Sequence, residues 1–434
     1  MKRFTTTILS ALAVLLLLAS TPEEQVLGRY DRSASNHYGY PYPNEASLPV
    51  LTPAPAGYEA FFIDHYGRHG SRWLTHADTY DRPVDMLQMA SDHGVLTFQG
   101  ERLLKMLRRV QAASIDRVGD LTDVGAIEHH GIAERMFKNF PTVFAGDAHI
   151  DARSTVVIRC ILSMANETMT LRGLNPQLRI TTDASYHDMY YMGWGHGNDT
   201  LANGVRKRMD VLTDSLYAAR VAPERFVRQL YRDPTLLPRD RAQRLMLDVF
   251  SIAGSLQTAT QFDDMDLYSF FTNDEIFELW RLRNIYWYVH WANAPQNGNR
   301  MPNIERDLLR DIVDKADAAI AGGERGASLR FGHETCTLPL ACLMELDNVN
   351  YSCDDLDTLH EHWQDYNIFP KACNIQMVFY EPMHGQKDFL VKVLLNEHEA
   401  TFPVDHDMAP YCHWSHLRDF FLSKINAPMP NWDN

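Results

Sequence analysis

Apolar and polar positions alternate along this chain on two length scales: short apolar runs near both ends and long amphipathic stretches between them. "YEAFFIDHY" (58–66) is an apolar run bounded by Gly57 and Gly67, which suits a buried strand. Helical periodicity dominates from about 84 to 138, as in "VDMLQMASDHGVLTFQGERLLKMLRRVQAAS". "HIDARSTVVIRCILSMANETMTLRGL" (149–174) reads as a strand passing into a helix, with Ser154 as the N-cap. From about 185 to 320 the pattern is helical and aromatic, with few strand signals. Strand patterns return in "ASLRFGHETCTLPLACLMEL" (327–346), "NIQMVFYEP" (374–382) and "FLVKVLLNEHEATFP" (389–403). Residues 37–57, rich in Pro and Tyr, form an irregular lead-in. The simplest architecture is an α/β core built from 37–184 and 321–434, with a mainly helical domain inserted over 185–320. No internal repeat breaks this scheme.

The first residues carry a different pattern. Lys2 and Arg3 precede an apolar stretch, Ile8–Leu18, far shorter than the roughly 20 residues needed to span a bilayer, and small residues Ala19 and Ser20 follow. This predicts a signal peptide over 1–20 and a periplasmic or secreted protein. No other stretch is long and apolar enough to span, so no membrane partner is expected after signal removal. The six cysteines, Cys160, Cys336, Cys342, Cys353, Cys373 and Cys412, include no zinc-spaced pair. In an oxidising compartment, pairing among Cys353, Cys373 and Cys412 is expected, with Cys160 and Cys336 as buried thiols.

Charge narrows the partners. Forty-one Lys and Arg against 56 Asp and Glu give a net charge of −15, which speaks against nucleic acid as a partner. An arginine cluster on such a chain must serve something local. "FFIDHYGRHGSR" holds one, and it shares a layout with "SLRFGHETCTLPL": apolar strand, glycine, polar cluster, helical pattern. Carboxyl ends of strands and the helix N-termini after them line the ligand crevice of an open α/β sheet. Arg68, His69 and Arg72 would face His333 and Glu334 there. Guanidinium forks match phosphate oxygens, so a phosphate group is the expected occupant. A histidine flanked by arginines stays neutral and nucleophilic, and Glu334 is placed to protonate a leaving alcohol.

Arg68-His69-Gly70-Ser71-Arg72 resembles the R-H-G-x-R signature of the histidine acid phosphatases, within the phosphoglycerate-mutase-like group. Gly332-His333-Glu334-Thr335 falls where that family carries its second histidine and proton donor, and "DLTDVGAIEHHGIAERM" (120–136) resembles its L-T-x-x-G helix start. "RCILSMA", from Arg159, is similar to the segment with the family's third phosphate arginine, and Arg153, six residues upstream, divides evenly between phosphate contact and support. "LRFGH" and "LPLACLM" are most similar to the multiple inositol polyphosphate phosphatases, whose second motif is His-Ala-Glu where other relatives have His-Asp; here it is His-Glu-Thr.

This resemblance implies a phosphoglycerate-mutase-like three-layer α/β core with an inserted helical domain. It implies His69 as nucleophile, Glu334 as acid, and Arg68, Arg72, Arg159 and His333 as phosphate ligands, with no metal and no organic cofactor. The implied substrate is a small phosphate ester, an inositol polyphosphate such as phytate. The alternatives are a broad-specificity acid phosphatase acting on sugar phosphates or nucleotides, and a phosphate-ester binding protein that no longer turns over. Elsewhere, His129 and His130 are read as surface residues, "GVRKRMD" (204–210) as a solvated face, and Trp280, Tyr286, Trp287, Tyr288 and Trp291 as the core of the helical domain.

Overall fold

The computed structural model describes residues 20–41, 48, 50–383, 388–405 and 407–432, so the segment read as a signal peptide lies outside the described residues save for Ser20. The apolar runs become one sheet. Its strands are β1 (Tyr58–Arg68), β2 (His149–Ser154), β3 (Arg179–Asp183), β4 (Gly326–Gly332), β5 (Asn374–Pro382), β6 (Leu390–Leu395), β7 (His398–Glu399) and β8 (Tyr411–His413). They lie in the order β3-β2-β4-β1-β5-β6-β7, with β8 also paired to β6. β1, β4, β2 and β3 run parallel, whereas β5 is antiparallel to β1 and β6 to β5.

The longer helices are α1 (Asp78–Asp92), α2 (Phe98–Ser114), α3 (Asp123–Asn139), α4 (Ile158–Leu174), α5 (Asn203–Arg220), α6 (Arg239–Leu256), α7 (Asn273–Trp291), α8 (Arg306–Gly322), α9 (Glu334–Leu343) and α10 (Trp414–Ile425). Strand side chains alternate between faces, and the two faces of this sheet bury different helices. Val378, Tyr380, Leu390 and Leu394 pack with Ile132, Met136, Met164 and Leu171 of α3 and α4. Met377, Phe379, Val391 and Val393 pack with Ile312, Ala316, Leu417 and Phe421 of α8 and α10. The result is a three-layer helix–sheet–helix core.

A third apolar cluster forms the helical part. It joins Tyr80, Leu87, Leu103 and Leu107 of α1 and α2 to Leu245, Val249, Leu279 and Trp280 of α6 and α7. The helical part therefore does not coincide with 185–320: α1 and α2 belong to it, and α8 belongs to the core layer. Nor is the α7 aromatic cluster private to it. Trp280 lies in the helical cluster, but Trp287, Tyr288 and Trp291 lie in the core cluster, so one helix buried all round ties the two parts together.

Three further expectations are corrected. Ser154 ends β2 rather than capping α4, whose N-cap is Val157 without a side-chain cap, because three residues lie between the elements. All six cysteines are buried free thiols, so the pairing expected among Cys353, Cys373 and Cys412 is absent, while Cys160 and Cys336 are buried thiols as expected. His129 is buried on α3, where its Nδ1–H donates to Glu167 at 2.7 Å; the pattern around 129 resembled an exposed helix face because this face covers a polar pair.

Candidate active site

Parallel pairing of β1, β4 and β2 brings three carboxyl ends to one edge, with Arg68 opposite Gly332 and Ser154 opposite Phe331. β5 enters at that edge because it runs the other way, with Asn374 opposite Gly67. The switch from parallel to antiparallel neighbours beside β1 makes the crevice, and the ends of these strands furnish its side chains.

The turn after β1 is held to α3 by backbone packing. A Cβ on Gly70 would come within 2.5 Å of the Gly125 carbonyl oxygen, and one on Gly125 within 2.3 Å of the Ser71 carbonyl oxygen. Only glycine fits at either position. Glu128 accepts from the Ser71 backbone N–H and hydroxyl, both at 2.7 Å, and Ser71 in turn accepts from Thr122 N–H at 2.9 Å. The two glycine motifs of the sequence are thus two sides of one contact that fixes His69.

His69 is fully buried. Its Nδ1 lies 2.8 Å from the Gly70 carbonyl, an acceptor only, so Nδ1 carries the proton and Nε2 presents its lone pair. Nε2 has no hydrogen-bond partner in the protein. Burial first, then the charges of Arg159, Lys371, Arg68 and Arg72, hold this imidazole well below the ordinary histidine range. The His333 ring sits 5.6 Å from that of His69, and burial and Arg159 push it down to about 3.

Around these rings stand the cations. Arg68 donates to the Phe369 and Asn36 carbonyls at 2.8 and 2.7 Å and pairs with Glu334 at 2.8 Å. Arg72 donates to the Trp73 carbonyl at 2.9 Å and is lowered to about 10 by burial. Arg159, on the first turn of α4, joins them through its charge on both histidines. Arg68, His69, Arg72, Arg159, His333 and Glu334 therefore converge. Arg153 does not: its guanidinium is taken by Asp188 at 2.8 Å and Asp151 at 3.3 Å, so of the two open readings the structure supports the structural one.

Glu334, the first residue of α9, lies 3.7 Å from His69 Nε2 and accepts from Asn36 Nδ2 at 3.2 Å. Burial would raise its carboxyl, but Arg68, Lys371 and Arg72 outweigh this and hold it well below the usual carboxylate range. Sequence reasoning missed Asn36, His37 and Lys371. The first two end a short 3-10 helix, Tyr30–His37, ahead of β1, and Lys371 precedes β5, so nothing short of the antiparallel pairing of β5 would have placed it here.

A cavity of about 720 Å³ opens from Asn36, His37 and Arg72 toward the helical part, where Arg244, Arg283 and Tyr286 line it together with Asp210, Asp214 and Asp240. His69, His333 and Glu334 also bring ligand-type atoms within 4.8 Å of one another, a spacing a metal ion could use. Four cationic side chains surround that spot and oppose one. Activity is accordingly expected to survive EDTA. Loss on chelation, restored by added zinc or magnesium, would overturn that account of the site.

No family model and no curated protein matches this chain. Solved structures do. The three-layer fold is that of the multiple inositol polyphosphate phosphatases and phytases. The Bifidobacterium longum multiple inositol polyphosphate phosphatase, in complex with inositol hexasulfate, is similar at a TM-score of 0.72 and 17% identity over 89% of this chain and 97% of its own. The phytase from D. castellii is similar at 0.67 and 13% identity, over 92% of this chain and 86% of its own. The Hafnia alvei phytase is similar at 0.51 and 15% identity, over 86% and 98%.

Proposed function

We propose that this protein is a phosphomonoesterase that works through a phosphohistidine and acts on inositol polyphosphates of the phytate type. One observation carries the reading: a buried, neutral imidazole with a free Nε2 sits among guanidinium groups, with a carboxyl 3.7 Å away. Nε2 of His69 attacks phosphorus and the bond to the ester oxygen breaks. Arg68, Arg72, Arg159 and His333 hold the phosphoryl oxygens, supplying the charge stabilisation that phosphoryl transfer needs. Glu334 protonates the departing oxygen, then takes a proton from the water that cleaves the phosphohistidine and releases phosphate. A carboxyl ionised in the empty site can play this part because substrate charge offsets the cations that depress it, so that it gains its proton with substrate bound. The solved relatives, one of them in complex with inositol hexasulfate, support the choice of substrate. The N-terminal pattern supports export to the periplasm or beyond.

The cavity favours a second reading. Asp210, Asp214 and Asp240 offset Arg72, Arg244 and Arg283 on its walls, which leaves no excess of positive charge for a ring bearing many phosphates, and they would accept hydrogen bonds from hydroxyls, as in a sugar phosphate. Phosphate release from phytate, sugar phosphates, nucleotides and an aryl phosphate, measured from about pH 3 to about pH 8, decides between them. An ordinary histidine would be lost as nucleophile below about pH 6.5. Here the neutral form persists to lower pH, since His69 is held well below that range and His333 is lowered to about 3. Rates should hold as pH falls from about 7 to about 5. A loss of the attacking base with a midpoint near 6.5, or no phosphate released from any ester, would defeat the proposal.

A further inference from the structure

The loop between residues 368 and 374 grips the turn after β1 from the opposite side to α3. Phe369 accepts from Arg68 at 2.8 Å, the Ala372 N–H donates to the His69 carbonyl at 3.1 Å, and Cys373 accepts from the Arg68 N–H at 2.8 Å. Between these contacts stands Lys371, anchored by its own N–H to the Tyr38 carbonyl at 2.7 Å. Its side chain has no exposure to solvent, and Nζ has no hydrogen-bond partner in the protein. Lysine normally snorkels to water, and buried donors are nearly always paired. Neither holds here. Glu334 is a carboxylate whose charge favours the ammonium, but it is already paired with Arg68. Burial first, then the like charges of Arg68, Arg72 and Arg159, hold the amine well below the ordinary lysine range, so a bound anion is what would favour its charged form.

A buried amine whose charged form is opposed by burial and by three arginines, and whose Nζ pairs with nothing, costs the fold stability, so its use must lie with something outside the chain. The unpartnered atoms of the groups whose charge it feels, or that feel its charge, include His69 Nε2, Arg68 Nε, Arg72 Nε and Arg159 Nε. These belong to the groups that converge in front of the nucleophile. We propose that Lys371 is a direct ligand of the phosphoryl group, its Nζ donating to a phosphoryl oxygen beside those held by Arg68 and Arg72. The inference rests on the phosphate site proposed above and adds to it a cation that neither sequence motif contains. As a point charge on a flexible stem, the ammonium can follow the oxygens as phosphorus moves from ester to histidine, where a guanidinium fork held by carbonyls cannot.

The test is Lys371→Met, which keeps the stem and removes the charge. Titration calorimetry with inorganic phosphate should show binding weakened by about 10- to 100-fold, the value of one charge-assisted hydrogen bond. Thermal melting without phosphate should be unchanged or raised, because a buried amine without a hydrogen-bond partner has gone. Lys371→Gln, neutral but still a donor, should fall between. Wild-type affinity for phosphate in Lys371→Met would overturn the proposal, and so would weaker binding accompanied by a lowered melting temperature, which would mark Lys371 as a packing residue. If the wild type binds phosphate, the methionine variant binds it poorly and no ester is hydrolysed, the role of Lys371 stands and the catalytic reading falls. If esters are hydrolysed and the variant binds phosphate normally, the reverse holds.

Discussion

His69→Ala is expected to abolish phosphate release from every ester while the protein still melts cooperatively. The side chain contributes no ion pair to the fold; its one hydrogen bond is to its own neighbour, the Gly70 carbonyl. What it supplies is the Nε2 lone pair, unpartnered in the protein and 3.7 Å from a Glu334 carboxylate oxygen. His333 is no substitute. Its ring is neutral too, but Nε2 already lies 3.4 Å from Thr155 Oγ1 and 3.7 Å from Cys160 Sγ. Losing the covalent route normally costs several orders of magnitude, so residual activity above about 1% of wild type would refute the phosphohistidine. Phosphate affinity should survive, since the arginines are untouched, and calorimetry on the same variant checks this.

Glu334→Gln separates two roles that the geometry joins. As proton donor, Glu334 matters only when the leaving oxygen needs a proton. Rates on alkyl or inositol phosphates should then fall by roughly 10²- to 10⁴-fold, while an aryl phosphate with an acidic leaving group is largely spared. As the ionic partner of Arg68, Glu334 also competes with phosphate for that guanidinium. Its neutral replacement should therefore bind inorganic phosphate more tightly than wild type. Glu334→Asp restores the commoner donor at the cost of a methylene and should keep its activity. An equal fall on aryl and alkyl esters would assign Glu334 to positioning phosphate or water, and the proton would have to come from elsewhere.

Much of this site was open to reading along the chain because its chemistry is locally dense. Arg68, His69 and Arg72 lie within five residues, after an apolar run and around a glycine, and His333-Glu334 repeats the layout after β4. A strand end followed by a helix start is a local event, so the placement of these five needed no long-range contact. Arg153 was equally local but undecidable. Its parity along β2 is set by pairing with β4, and its guanidinium goes to Asp188, 35 residues away, a contact no local pattern encodes.

His129 and Lys371 fail for the same reason. Each is a polar residue whose burial depends on a partner brought by another element: Glu167 from α4 for the first, the β1 turn for the second. Domain limits behave likewise. Periodicity shows that α1 and α2 are amphipathic helices, but not which apolar surface they will cover. Leu87 and Leu103 turned out to face Leu245 and Leu279 instead of the sheet.

By itself, then, the sequence determined the alternation of strands and helices, the placing of His69 between its arginines and that of Glu334 on the facing turn, because each depends on residues within one turn or one strand end. Tertiary structure alone decided that β5 runs antiparallel and carries Lys371 to the site, that Gly70 and Gly125 meet, that Arg153 is spent on aspartates, and that three aspartates line the cavity. Those outcomes depend on which surfaces meet across the fold, and burial and pairing energies settle them only once the whole chain is packed.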